Sequence, residues 1–440
     1  RIEYQLEYAV WEMTHGCNMR CQHCGSSCAQ PYLDEMTTKE CLHVCDELIN
    51  MGVKFVTLTG GEPTTKKDWY VIAEKLSKAG IYTNIISNGW FVEDDLVEKI
   101  KQAGIAICAI SIDGVKETHD KIRKEGSFEK DLLALKKLKY HGVQTMVATT
   151  INNENIEELD EMYDIFSEIG VDFWQLQITL PMGNFLKQQT LFVEPGMIEQ
   201  IIDFAYKKKE GQLEIHLTDG IGYYNKKQIC MQQNTCWAGC SAGKKSVGIL
   251  QNGDIVGCTS IRNEKMIEGN IRDGSLRDIW FSKDSFLWNR NFKRDDLKGL
   301  CRECKYGDMC LGGCSNSRFT LNGTIESENI LCSYNYKLVQ ARKYINKLDE
   351  EQLLQLFTIL IEKNEYQIAK MVYDRIKNGC KYDIIFTNNI YLKSYGGPEL
   401  LHKLRNLNNF NTPIVIHTIT KNAIKHFVDD LGFDDYLEKP

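Results

Sequence analysis

Residues 8–28 read "YAVWEMTHGCNMRCQHCGSSC". The first seven are apolar and rich in β-branched and aromatic side chains, as a buried strand should be. The rest is a loop that carries Cys17, Cys21, Cys24 and Cys28. A strand that runs directly into such a loop sets its thiols at the strand's C-terminal end.

The same pattern continues. Further strands are expected at Phe55–Thr59, Tyr82–Ser87, Ile105–Ile112, Thr145–Thr150 and Phe173–Ile178. Amphipathic helical segments lie between them. One opens at Thr37, where "TTKE" reads as a capping box, and others stop near Gly52, Gly80, Gly104 and Gly170. Six βα units before residue 180 predict an α/β fold, a parallel sheet with helices outside. An open doubly wound sheet and a partial barrel both satisfy that pattern. In either, ligands bind at the C-terminal ends of the strands. There the chain places Cys17 after the first strand, "GGEP" (Gly60–Pro63) after the second, "SNG" (Ser87–Gly89) after the third and "SIDG" (Ser111–Gly114) at the end of the fourth. Singly these are turns. Together they mark one site.

A chain of 440 residues suggests two or three domains. Its composition, 43% hydrophobic and 26% charged, is that of a soluble globular protein. A net charge of −7 disfavours a nucleic-acid partner. No apolar run approaches the ~20 residues of a membrane span, and "RIEYQLEYAVWEM" is too charged for a signal peptide. A cytoplasmic protein without a membrane partner is therefore expected. Seventeen cysteines are then more readily metal ligands or catalytic groups than disulfides. They gather in the first loop and between Cys230 and Cys332. Three closely spaced thiolates suit a [4Fe–4S] cube with one open iron better than zinc, which usually takes four protein ligands. Spacing alone leaves Cys28 open as a fourth ligand.

CxxxCxxC after the first strand, with GGEP after the second, resembles the radical S-adenosylmethionine (SAM) superfamily over residues 8–180. The resemblance implies a partial (β/α)6 barrel, with Cys17, Cys21 and Cys24 holding a [4Fe–4S] cluster. The open iron would chelate the amino and carboxylate groups of SAM. One electron would cleave SAM to methionine and a 5′-deoxyadenosyl radical that takes hydrogen from substrate. Gly60, Gly61, Glu62 and Pro63 would meet the methionine amino group. Ser87, Asn88, Ser111 and Asp113 would meet the methionine and ribose portions. "HDKIR" (His119–Arg123) recurs in the subgroup with cysteine-rich extensions, and Arg123 would face the SAM carboxylate. His23 stands where an aromatic residue is usual and can still stack near adenine.

"CRECKYGDMCLGGC" (Cys301–Cys314), with Cys240 and Cys258 upstream and Cys332 downstream, resembles the SPASM extension. That extension holds two auxiliary [4Fe–4S] clusters, making three in all. The resemblance assigns Cys240, Cys258 and Cys314 to one, and Cys301, Cys304, Cys310 and Cys332 to the other. Cys236 in "CWAGC" is the preferred fourth ligand of the first, with Cys230 or an open iron as alternatives. A zinc ribbon is the competing reading of Cys301–Cys314 taken alone. Cys41, Cys45 and Cys108 are expected in the core, and Cys28 and Cys380 have no assigned role. "GNIRDGSLRDIW" (Gly269–Trp280) is expected to pack a linker helix.

The last segment, with "YDIIFTNN" and "TPIVIHT", resembles the second half of a response-regulator receiver. Thr418 falls at the switch threonine and Lys439 at the lysine before proline. Asn388 stands at the phosphate-accepting aspartate, and an amide cannot form an acyl phosphate. A degenerate docking or dimerisation unit is the preferred reading; an unrelated small α/β unit is the alternative. The expected domains are 1–225 (barrel), 226–345 (auxiliary clusters) and 346–440 (receiver-like).

These resemblances imply an oxidoreductase acting on a ribosomally made precursor peptide and forming a thioether, carbon–carbon or ether crosslink. An auxiliary cluster would take the second electron or bind a substrate thiolate. Formylglycine formation of the sulfatase-maturing type is disfavoured, because Cys258 is followed by Thr259 and Ser260 rather than by an acid. Small-molecule chemistry on a tetrapyrrole stays open. A non-enzymatic iron–sulfur regulator is disfavoured by the intact SAM motifs. The expected partner in electron transfer is an external flavodoxin- or ferredoxin-type donor; since only sixteen residues precede Cys17, leader binding is expected to fall to a separate protein or to the C-terminal segment. Tyr223, Tyr224 and His216 fall between barrel and extension, but no catalytic acid or base can be named.

Overall fold

The computed structural model describes residues 4–349 apart from 219, 224, 232–236 and 238, and beyond them 352–353, 356–357, 371–372 and 375. Tyr224, Cys236, Cys380 and the receiver-like positions Asn388, Thr418 and Lys439 lie outside the described residues. The chain divides into two compact units, residues 1–333 and 334–440. Of the second, most of the helix Ser333–Ile345 is described.

The first unit is built on strands β1 (Tyr8–Glu12), β2 (Phe55–Thr59), β3 (Tyr82–Ser87), β4 (Ile107–Ser111), β5 (Gln144–Ile151), β6 (Phe173–Ile178), β7 (Glu214–Leu217), β8 (Ser246–Ile249), β9 (Asp254–Val256) and β10 (Ile267–Asn270). They form one sheet in the order β10-β9-β8-β1-β2-β3-β4-β5-β6-β7. Strands β1 to β7 run parallel, each to the next. Parallel neighbours need crossovers. These are helices α1 (Thr38–Asn50), α2 (Trp69–Lys78), α3 (Asp94–Gln102), α4 (Lys116–Ile122) with α5 (Ser127–Tyr140), α6 (Leu159–Ile169) and α7 (Met197–Lys208).

All six expected strands are present. β7 is an addition, a short segment (EIHL) whose Glu and His hide its strand character. A second addition decides the architecture. β8 pairs parallel with β1, Tyr8 opposite Ser246 and Trp11 opposite Ile249. β9 and β10 then extend the sheet antiparallel. The cysteine-rich region therefore continues the barrel's own sheet.

The core lies between sheet and helices. On β1, Ala9 and Trp11 are buried in it, as is Met13 just beyond the strand, so Val10 and Glu12 project to the opposite face, the barrel interior. Trp174 on β6 is also fully buried, between Phe166 and Phe204, and its Nε1–H reaches Thr149 Oγ1 at 2.8 Å. The Thr37–Glu40 capping box starts α1. α6 stops at Gly170, whose φ of 78° suits a residue without Cβ. Trp280, from the GNIRDGSLRDIW stretch, is buried and donates to the Tyr4 carbonyl at 2.8 Å, while Arg272 reaches Glu40 at 2.6 Å. That stretch thus ties the extension to the approach of β1 and to α1. No helix among the described residues is long and apolar enough to cross a membrane.

Trp11→Ala should lower the unfolding free energy by about 3–5 kcal/mol. Urea denaturation would show this as a lower midpoint with an unchanged slope.

Candidate active site

The first two motifs meet main chain to main chain. Gly61 N–H donates to the Thr14 carbonyl at 2.7 Å and Glu62 N–H to the Gly16 carbonyl at 2.8 Å. A Cβ on Gly61 would lie 2.2 Å from Gly16 O, so the GGEP turn fits against the cysteine loop only without side chains. Glu62 itself is fully buried. Its carboxylate accepts from Thr64 N and Oγ1 (3.2 and 2.6 Å), Ser87 Oγ (3.0 Å) and Asn88 N (2.7 Å). Burial raises its pKa against those four donors. The Glu62 and Ser87 side chains are turned to each other, because a carboxylate so deeply buried needs donors on every side. Asn88 does reach the cysteine loop, with Nδ2 2.7 Å from Asn18 Oδ1 and 3.8 Å from Cys17 Sγ. Ser111 is half-buried at the end of β4.

Asp113 is the hub of the fourth motif. Fully buried, it accepts from Thr150 N at 2.7 Å and Arg123 Nε at 2.5 Å, and stands 2.8 Å from His23 Nε2. Burial opposes its ionisation, but Arg123 and His23 outweigh burial and hold the carboxyl well below the usual range. Arg123, expected on the SAM carboxylate, is engaged by Asp113 through Nε. Asp113 in turn fixes the residue before Cys24. Its own N–H donates to His119 Nδ1 at 3.1 Å, and His119 Nε2 lies 3.1 Å from Asp131 Oδ2. Burial pushes His119 down to about 3 and Asp131 well up. Asp131 was not foreseen. Its signal was present: it shares the buried face of α5 with Phe128, Ala134, Leu135 and Leu138, an odd place for a carboxylate.

The thiols of Cys17, Cys21 and Cys24 are half-buried on one loop. Burial raises Cys17, and it pushes Cys21 up to about 11. Cys24 is lowered chiefly by a hydrogen bond from Cys28, which is itself buried and raised. A second segment supports the loop: Asn184 N and Nδ2 donate to the Cys24 and Cys21 carbonyls at 2.9 and 3.1 Å. Among the described residues no three His, Cys, Asp or Glu side chains form a single-ion site. A cube binds each thiolate at a different iron, so its ligands surround a volume rather than a point. Two buried polar atoms beside the thiols, Asn18 Nδ2 and His23 Nδ1, lack hydrogen-bond partners. Three thiols with unspent polar atoms beside them fit a cluster that carries a polar ligand.

Glu12 and Arg262 join the loop to the extension. Arg262 forks onto both Glu12 oxygens and reaches Ser26 Oγ at 2.6 Å. Neither residue stands out in sequence, because they are 250 positions apart.

In the cysteine-rich region Cys301 and Cys304 are buried and Cys240, Cys258, Cys310, Cys314 and Cys332 are half-buried. Leu311, Gly312 and Gly313 all have positive φ (51°, 78° and 72°). That run folds the chain tightly behind Cys310, and Gly313 N–H donates to the Cys310 carbonyl at 3.1 Å. Burial pushes Cys310 up to about 12, with Cys301 and Cys304 adding to the rise. Tyr223, placed by sequence at a substrate entrance, is only 4% exposed. Its Oη accepts from Cys314 N at 2.7 Å and its ring meets Trp237 edge-on at 5.2 Å. It braces the thiol loop. His216 is exposed and pairs with Glu214.

The model of the radical SAM superfamily matches residues 11–166, and that of an iron–sulfur cluster-binding domain, SPASM, matches residues 240–305. The AdoMet-dependent heme synthase of Methanosarcina barkeri is 29% identical, over 74% of this chain and 95% of that protein. An Fe-coproporphyrin III synthase of the same organism is 30% identical, over 73% and 86%. The mycofactocin maturase MftC of Mycolicibacterium smegmatis is 27% identical, over 70% and 78%. Streptococcus suis SuiB bound to S-adenosylmethionine shares the fold, with a TM-score of 0.61 at 17% identity over 74% of this chain and 77% of SuiB.

The buried His119 makes a pH prediction. Below its ordinary pKa of about 6.5 the unfolded chain takes a proton that the folded chain refuses. Stability should therefore fall as pH drops from about 6.5 toward 3, by about 2 kcal/mol at pH ~5 from this group. His119→Asn, whose amide oxygen can accept the Asp113 N–H, should flatten that slope in denaturation curves recorded at several pH values.

Proposed function

The chain belongs to the radical SAM superfamily and carries its SPASM iron–sulfur extension, and on that footing we propose that this enzyme crosslinks a ribosomally made peptide. Cys17, Cys21 and Cys24 would hold the cluster, which with SAM would supply the radical chemistry for hydrogen abstraction. The chain's own residues hold the thiol loop against the GGEP turn, keep His23 on Asp113, and close the seam to the extension with Glu12 and Arg262. Two auxiliary clusters complete the assignment, one on Cys240, Cys258, Cys314 and Cys236, the other on Cys301, Cys304, Cys310 and Cys332. Residues 1–225 act as the barrel, 226–345 as the auxiliary domain and 346–440 as a docking segment. A flavodoxin- or ferredoxin-type donor supplies electrons.

The observation that supports a peptide is the state of the cations around the loop. Beside it, Arg123 is paired through Nε with Asp113, and Arg262 is spent on Glu12 and Ser26. A porphyrin brings propionates that call for cations, whereas a peptide backbone does not. The likeness to the mycofactocin maturase supports the same reading. Tetrapyrrole chemistry is the second reading, favoured by the names of the heme synthase and Fe-coproporphyrin III synthase relatives.

One experiment separates them. The protein is reconstituted without oxygen, reduced with dithionite and given SAM, with either the precursor peptides encoded beside its gene or iron coproporphyrin III. About twelve irons per chain, 5′-deoxyadenosine, and a peptide lighter by two hydrogens are the expected results. A modified porphyrin with the peptides untouched would establish the second reading. About four irons would remove the auxiliary clusters. Cys310→Ser should bind about eight irons and still release 5′-deoxyadenosine.

A further inference from the structure

Arg318 is one of the largest fully enclosed side chains of the protein, only 2% exposed. It lies on the helix Ser315–Asn322, directly after Cys314. Nη2 reaches Ser315 Oγ at 3.3 Å, but Nε and Nη1 have no hydrogen-bond partner. The guanidinium sits 5.0 Å from the centre of the Phe292 ring, a contact that offsets part of its lost hydration and satisfies no N–H. A guanidinium keeps its charge at any ordinary pH. A buried charge without a counter-charge is strongly unfavourable, so the enclosure implies an anion.

Asn329 links the Cys301 thiol to the Gly312 turn that packs on Arg318, with its N–H on Cys301 Sγ and its Nδ2 on Gly312 O, both at 3.3 Å, and the thiols of Cys301, Cys240 and Cys314 are near enough that their thiolates would stabilise the Arg318 charge. In the assignment above, Cys240 and Cys314 belong to one auxiliary cluster and Cys301 to the other. The space is shaped for the guanidinium as well. A Cβ on Gly312, in the left-handed run between Cys310 and Cys314, would come within 3.0 Å of Arg318 Cζ and Nε. A glycine there leaves the cation room between the two sets of thiols.

We propose that Arg318 is a positioning residue shared by the two auxiliary clusters, donating Nε–H and Nη1–H to sulfurs of both and raising the reduction potential of each. The inference rests on the auxiliary-cluster reading above. Its physical basis is that each cluster gains negative charge on reduction, so a fixed cation and N–H donors stabilise the reduced form more than the oxidised one. A single cation between two clusters should act on both.

The test is a potentiometric titration of the reconstituted full-length chain followed by electron paramagnetic resonance, for wild type, Arg318→Lys and Arg318→Gln. In Arg318→Gln both auxiliary signals should move to more negative potential, while the signal of the SAM cluster stays in place as an internal reference. Arg318→Lys keeps the charge and loses the fork, so its auxiliary signals should fall between the other two. If the glutamine variant fails to load, the lysine variant decides, and both of its auxiliary signals must move. Unchanged auxiliary potentials with about twelve irons bound would overturn this proposal alone. A shift of one auxiliary signal only, or of all three together, would also overturn it. A wild type that binds about four irons would overturn it together with the reading on which it rests.

Discussion

Asp113 is completely enclosed and still ionised, because the Thr150 N–H, Arg123 and His23 all converge on it. Those partners come from β5, from the end of α4 and from the cysteine loop. A carboxylate in that position tolerates little displacement of any of them, since each lost donor would leave charge unsolvated. Glu62 imposes the same condition on the loops after β2 and β3. Two buried carboxylates thus lock four strand ends into one arrangement. The half-buried thiols of Cys17, Cys21 and Cys24 lie on the loop that this arrangement holds.

This explains a division of labour within the motifs. Glu62, Ser87, Asp113 and Arg123 belong to sequence patterns associated with SAM, yet their side chains are engaged with protein. They keep the loops in register. The atoms left for a ligand are beside the thiols, Asn18 Nδ2 and His23 Nδ1 among them. His119 and Asp131 form a further layer outside Asp113, reached by no solvent.

The six strands and the helices between them could be read from sequence because their signals are local: β-branched apolar runs, a capping box at Thr37, glycine at helix ends. The closeness of Cys17, Cys21 and Cys24 was legible for the same reason, since they share a single loop. β7 and β8 were not, being four residues each, one interrupted by charge and the other by Gly248. Pairs such as Glu12 with Arg262 leave no local trace across 250 positions. Nor does a motif announce which way its side chains turn. Only packing shows that Ser87 faces Glu62 and that Tyr223 is a brace and not a doorway. Arg318 could be found only by asking where a buried cation has its anion.

β1 is paired on both sides, with β2 along one edge and β8 along the other. A barrel ending before β8 would leave a row of N–H and C=O groups bare beside its own cysteine loop. Open rows of that kind recruit strands from other molecules. The cysteine-rich extension therefore also covers an edge on which a foreign strand could otherwise pair. The shielding of that edge and the anchoring of the extension depend on the same few hydrogen bonds.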